Sequence, residues 1–134
     1  MMRRNSENNM RYPKPKKPSR KKLIRQLDEI VSKIIRKKYR ACVVCGSTRN
    51  ITAGHLFSRA HYSTRWDFDN VFPQCLSDNL KHEYDPFPFY NWHVGFFGKK
   101  KTDEVYAKWK KISKFKDYEL QAMYEKLLQV FNDL

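Results

Sequence analysis

The chain has 134 residues, 40% of them apolar, and carries 28 Lys/Arg against 14 Asp/Glu for a formal net charge of +14. That length suits one domain with a small core and leaves little room for two. No apolar run reaches about 18 residues, and the basic N-terminus is not followed by an apolar stretch, so neither a membrane span nor a secretory leader is expected.

The charge is unevenly placed. Residues 1–40 hold 15 Lys/Arg and 3 Asp/Glu, whereas the remaining 94 hold 13 and 11. A local positive field of this kind draws polyanions, because bound phosphates release counterions. Nucleic acid is the expected partner. An anionic membrane surface is the weaker alternative, and a solvated, solubilising tail is the plain one. Three cysteines, an odd number, argue against a disulfide scaffold and fit a reducing cytoplasm.

In chain order, residues 1–18 are expected to form a disordered basic arm, since "RYPKPKKP" has nothing to bury. Residues 19–134 are expected to form a single domain. Ser19 suits a cap. Leu23, Ile24, Leu27, Ile30, Val31, Ile34 and Ile35 recur with helical period, predicting a helix over 20–39. Its other face offers Lys21, Lys22, Arg25, Lys33, Arg36 and Lys37 to phosphates, or simply to solvent. "ACVVCGS" reads as a tight knuckle with Gly46 at positive φ. "NITAGHLF" suits a short strand, "SRAHYSTRWDFD" a loop, and "NVFPQC" a second strand that Pro73 confines to an edge or bulge. "LSDNLKHEY" can start a helix with Ser77 or Asp78 near its cap. Pro86 and Pro88 suit another helix start. "GKKKT" reads as a turn, with Thr102 capping a helix to about Lys111. A last helix starts near Asp117, with a stripe of Leu120, Met123, Tyr124, Leu127, Leu128 and Phe131. The expected fold class is α+β: a small ββα core over 42–84, flanked by a basic N-terminal helix and a helical part over 85–134.

Two short strands cannot make a core alone, so something else must hold the centre. Cys42 and Cys45 have the spacing of half a tetrahedral zinc site. Cys75 supplies a third ligand. A regular site would place a cysteine at 78, where Asp78 stands, and His82 lies one helical turn further on. Either can complete the tetrahedron, since zinc takes carboxylate and imidazole. The plain readings are a helix N-terminal carboxylate for Asp78 and a surface histidine for His82. A Cys42–Cys45 redox pair is disfavoured, because no thioredoxin-like βαβ unit surrounds it.

Between the half-sites lies Gly54-His55, at the end of the first predicted strand. Asn70 opens the second, and Asn79 follows Cys75 on the next helix. This His–Asn–Asn order, bracketed by metal ligands, resembles the HNH (ββα-metal, His-Me finger) nucleases. "AGHLFSRAHYSTRWDFDNVFPQCLSDN" is similar to the NinG/Rap recombination endonucleases of phages, through Ala-Gly-His, Arg59, His61, Arg65, Asp67, Asn70-Val71, Gln74-Cys75 and Asn79. The resemblance covers roughly residues 14–131. It implies His55 as general base, Asn70 as the residue that pins the loop, and Asn79 as ligand of a catalytic Mg²⁺ that Mn²⁺ can replace. Structural Zn²⁺ and hydrolysis of branched DNA (Holliday junctions, D-loops or flaps) in a host-cell cytoplasm are also implied. Arg59, Arg65 and His61 become candidate DNA contacts. Two departures stand out: Asp78 replaces the usual cysteine, and Tyr84-Asp85 replaces a Gly-Asn. Cutting two strands of a junction needs two active sites, which a homodimer would supply. The competing readings are a zinc-knuckle module that binds nucleic acid without cutting it, and an HNH nuclease of restriction or packaging.

Overall fold

A computed structural model describes residues 17–134; the expected basic arm lies almost wholly outside them. The architecture is α+β, with six helices and one two-stranded antiparallel sheet among the described residues.

Helix α1 runs Arg20–Lys38, one residue short of the expected end. The Ser19 side chain accepts a hydrogen bond from the Lys22 N–H at 3.2 Å, which satisfies one free donor of the first turn. Its apolar stripe is buried at Leu23, Leu27, Ile30, Val31, Ile34 and Ile35. Lys21, Lys22, Arg25, Lys33, Arg36 and Lys37 are all exposed on the other side. Strand β1 (Ile51–His55) pairs with β2 (Val71–Cys75), from Ile51 opposite Cys75 to His55 opposite Val71. Pro73 costs the ladder little, because a two-stranded sheet has only edges.

The connection between the strands is not a plain loop. It contains a one-turn helix, α2 (Tyr62–Arg65), which no local period announces. Tertiary bonds hold it: Asn70 Nδ2 donates to the Thr64 carbonyl at 3.1 Å, and Trp66 Nε1 donates to Asp28 of α1 at 2.8 Å. Helix α3 (Leu76–Lys81) follows β2 with no linker, so Cys75 is its cap rather than Ser77 or Asp78. Helix α4 (Phe87–Phe97) starts at Pro86, with Pro88 in its first turn, as the prolines implied. The expected turn at "GKKKT" is instead the start of α5 (Lys99–Lys110). Gly98 at φ 92° redirects the chain within one residue, and Thr102 is already inside the helix, its hydroxyl on the Gly98 carbonyl at 3.1 Å. Helix α6 (Asp117–Asn132) opens with Glu119 accepting from the Lys116 N–H at 3.1 Å.

Two cores result. The first joins Leu23, Leu27, Val31 and Ile35 of α1 to Trp66, Val71 and Leu120, with Met123, Tyr124 and Leu127 of α6 packed against them. Leu128 of the expected stripe is exposed instead. The second core gathers Leu56, Phe72 and Phe89, flanked by Val43, Val44 and Trp92. The "FYNWHVGFF" run contributes to packing: His93 is fully buried between Thr102 Oγ1 (2.6 Å) and the Asp69 carbonyl (2.9 Å). No helix among the described residues is long and apolar enough to cross a membrane.

Candidate functional site

The knuckle is built as its sequence demands. The Gly46 N–H returns to the Cys42 carbonyl at 2.9 Å, and Gly46 takes φ 77°, where a side chain would be strained. The Val43 N–H donates to the Pro73 carbonyl at 3.0 Å, tying the knuckle to β2. This places Cys42 and Cys45 beside Cys75 and Asp78, with all four ligand atoms within 4.8 Å of one another. The Cys42 and Cys75 sulfurs stand 3.2 and 3.3 Å from Asp78 Oδ2, and the Cys45 and Cys75 sulfurs are 3.8 Å apart. Thiolates 2.3 Å from a common tetrahedral zinc would lie about 3.8 Å apart. The cluster can therefore hold a metal such as zinc. The Asp78 carboxylate pushes the Cys45 thiol up to about 12. Asp78 itself is held below the usual carboxylate range, chiefly by the Cys45 thiol. A bound cation would replace these thiol–carboxylate hydrogen bonds, holding the thiols as thiolates and offsetting their charge and that of Asp78.

Of the two residues considered for the fourth position, the cluster takes Asp78 and not His82. Because α3 starts directly from Cys75, residue 78 leans back over the sulfurs. His82, one turn on, points its Nε2 at the Leu56 carbonyl (2.9 Å) and packs on Phe89.

A separate polar cavity of about 500 Å³ is lined by Ala53, His55, Ser58, Arg59, Asn79, Leu80, His82 and Glu83. His55 stands at the end of β1, with Nε2 at 2.8 Å from the Arg65 carbonyl. A carbonyl only accepts, so Nε2 carries the proton and the lone pair lies on Nδ1. Nδ1 has no hydrogen-bond partner among the described residues. Burial pulls the His55 pKa below the ordinary 6.5, against the opposing pull of the Arg65 carbonyl and the Asp28 charge, so the ring is neutral at pH 7.

Asn79 is oriented by a similar argument. The single Thr52 hydroxyl proton is given to the Gln74 carbonyl at 2.8 Å. Thr52 Oγ1 can then only accept from Asn79, whose Nδ2 lies 2.9 Å away. The Asn79 carbonyl oxygen is left unspent on the helix that lines the cavity. Glu83 follows one turn later on the same wall. Asn70 is fully buried and closes the connection. Its Oδ1 accepts from the Phe57 N–H at 2.9 Å, while Nδ2 donates to the Phe57 and Thr64 carbonyls at 3.0 and 3.1 Å.

No family model, curated protein or solved structure matches the chain.

Other expected contacts are spent elsewhere. Arg65 is not free to clamp a phosphate: Nε and Nη2 bind Asp28 at 2.9 and 2.6 Å, a bidentate pair with the two side chains only 14% and 26% exposed. Its contribution to the site is the carbonyl that holds His55. His61 stacks on Trp109 at 4.0 Å and bonds the Trp109 carbonyl at 2.6 Å, so it braces α5 against the loop instead of reaching a ligand. Asp67 and Asp69 pair with Lys108 and Lys101. Arg59 does line the His55 cavity, with its side chain exposed. Sequence reasoning overlooked Asp28 and Glu83, and gave Gln74 no role of its own. Asp28 carried a signal: it is an acid at the border of the apolar stripe of a basic helix. Gln74 is buried over Gly54, and a Cβ on residue 54 would meet its Oε1 at 2.1 Å, so any larger residue there requires the Gln74 side chain to move.

Breaking the Arg65–Asp28 pair is expected to be costly. Arg65→Ala leaves a largely buried carboxylate, a loss of about 3 kcal/mol. Burial raises the Asp28 pKa, but the bonds from Arg65 and Trp66 outweigh it, and the net value is below 3.8. The sign follows: the folded state binds the proton less tightly than the unfolded chain. The contribution is complete above the unfolded value and is lost as pH falls through the lower folded one. Urea titrations of wild type and Asp28→Asn at pH 7 and pH 3 check this, with the difference between them shrinking at the lower pH.

Proposed function

We propose that the chain is a DNA endonuclease of the HNH type, acting on branched recombination intermediates with Mg²⁺, its knuckle held by zinc. One observation carries this reading: a neutral imidazole with its lone pair on Nδ1 shares a single polar cavity with the unspent Asn79 oxygen. Hydrolysis of a phosphodiester needs a base that is unprotonated at neutral pH, and the His55 ring meets that need. The Asn79 oxygen and the Glu83 carboxylate are hard donors lining one cavity, the chemistry Mg²⁺ prefers, and few protein ligands suffice because this ion keeps its waters. Bound there, Mg²⁺ would offset charge growing on the phosphate and on the leaving oxygen.

The chain's own residues divide the remaining work. His55 Nδ1 takes a proton from water as its oxygen attacks phosphorus. The P–O3′ bond breaks and the departing 3′ oxygen takes a proton from solvent, leaving a 5′ phosphate and a 3′ hydroxyl. The Arg65 carbonyl stabilises the imidazolium through Nε2–H. Arg59 meets phosphate at the rim, and the exposed cations of α1 hold the flanking backbone. Gln74 fills the space over Gly54, so a ligand-bearing side chain at position 54 would first have to displace it.

The test is cleavage of a four-way junction, a flap and a plain duplex, with and without added Mg²⁺. Strong chelators are avoided because they would also strip the cysteine cluster. Cleavage of the junction or flap in preference to duplex is the expected result. Equal cutting of all three would point to an HNH nuclease of restriction or packaging. Binding with no cleavage under any divalent ion would leave only a zinc-knuckle binding module.

A further inference from the structure

A second hollow adjoins the His55 cavity. It measures about 330 Å³ and is walled by Leu56, Phe57, His82, Pro86, Phe87 and Tyr90. Its walls are largely apolar, whereas the neighbouring cavity presents His55, Arg59, Asn79 and Glu83. His82 is the partition, lining both spaces, and its Nε2 bond to the Leu56 carbonyl holds the ring in place. Phe87 is 66% exposed on the first turn of α4, although its neighbour Phe89 is fully buried. The Phe57 ring continues the wall to Tyr106 at 5.2 Å and Trp109 at 6.1 Å. Aromatic surface left open in this way marks a recognition site more often than chance.

We propose that this hollow receives one unstacked nucleobase of the strand whose phosphate sits in the His55 cavity. The inference rests on the proposed function for that phosphate. Two observations select the occupant. The hollow lies next to a polar cavity with a single side chain, His82, between them, so a ligand using both must be apolar and flat at one end and anionic at the other. The chain carries +14, and exposed Arg59 lines the adjoining cavity, which favours an anionic ligand over a cationic peptide. A nucleotide meets both conditions. Stacking on aromatic rings accepts any base, because every base has a π face. A base in duplex must first be unstacked, whereas a base at a branch point or in a flap is already free. The hollow would therefore supply preference for branched DNA without reading sequence.

The test replaces single nucleotides next to the branch of a flap with 2-aminopurine, or with an abasic residue. Binding is followed by fluorescence in Ca²⁺, so that cleavage is not required. Wild type is expected to quench 2-aminopurine at one position. Phe87→Ala is expected to abolish the quenching and to weaken flap binding about tenfold. The same substitution should not alter binding of a flap abasic at that position. Phe87→Trp is expected to restore both signals, which also guards against misfolding. Equal binding of base-bearing and abasic flaps by wild type and Phe87→Ala, with no quenching at any position, would overturn the proposal. Quenching that depends on Phe87 in a protein that never cleaves would leave the hollow intact and remove only the nuclease reading.

Discussion

His55→Ala is expected to lower the cleavage rate of a branched substrate by about 10³-fold, the usual contribution of a positioned general base. Binding of the same DNA should change little, because the substitution removes neither exposed Arg59 nor the exposed cations of α1. His55→Gln is the sharper control. It can keep a donor near the Arg65 carbonyl but has no basic nitrogen, and it should be as inactive as alanine. The pH profile adds an independent check. Activity needs the neutral ring, whose pKa lies below 6.5 because the side chain is buried, so kcat/KM should stay flat through pH 7 and fall only on the acid side of that value. An alanine variant that cleaves at the wild-type rate would remove the catalytic assignment altogether.

Loss of the cluster metal is expected to have the largest effect on folding. A two-stranded sheet has little stability of its own, and structural zinc sites in finger peptides contribute about 10–16 kcal/mol in apparent binding free energy. Elemental analysis should find one zinc per chain, and stripping it should lower Tm by about 10 °C or more. The fourth position can be tested directly. Asp78→Ala removes one of the four converging atoms and should weaken zinc binding by at least about tenfold, in line with the loss of one ligand interaction. Asp78→Cys supplies a thiolate, which suits zinc, and should bind at least as tightly as wild type. His82→Ala should leave the metal content unchanged, since His82 faces Leu56 and not the sulfurs. Zinc-free protein with an unaltered melting curve would show that the four side chains converge for another reason.

Much of this was legible in the sequence wherever the signal is local. The stripe from Leu23 to Ile35, the Ser19 cap, the knuckle at Gly46 and the prolines before α4 each act within a few residues. The cysteine spacing and the His55–Asn70–Asn79 order were likewise readable, because a cluster or cavity built on consecutive elements leaves its order in the chain. What was not legible depended on distant partners. Arg65 looks like a phosphate ligand until Asp28, 37 residues away, takes its guanidinium. His61 looks free until Trp109, 48 residues away, lies flat against it. The choice between Asp78 and His82 turned on which residue α3 starts from, and helix starts are the least certain feature of a sequence pattern. Gly98 was read as part of a turn because nothing local says that the helix resumes at once.

The short strand β2 is fastened at both ends. Just before it, the Asn70 side chain is bonded into the preceding connection; at its last residue, Cys75 joins the Cys42–Cys45–Asp78 cluster that can hold a metal. Between these two bolts, Val71 faces the α1 core and Phe72 the opposite one. Sliding by one position would turn each side chain to the wrong side and carry the partner of His55 with it. A ribbon so short would ordinarily be free to slip, and here the alignment of the cavity is locked by the same two anchors that bracket it.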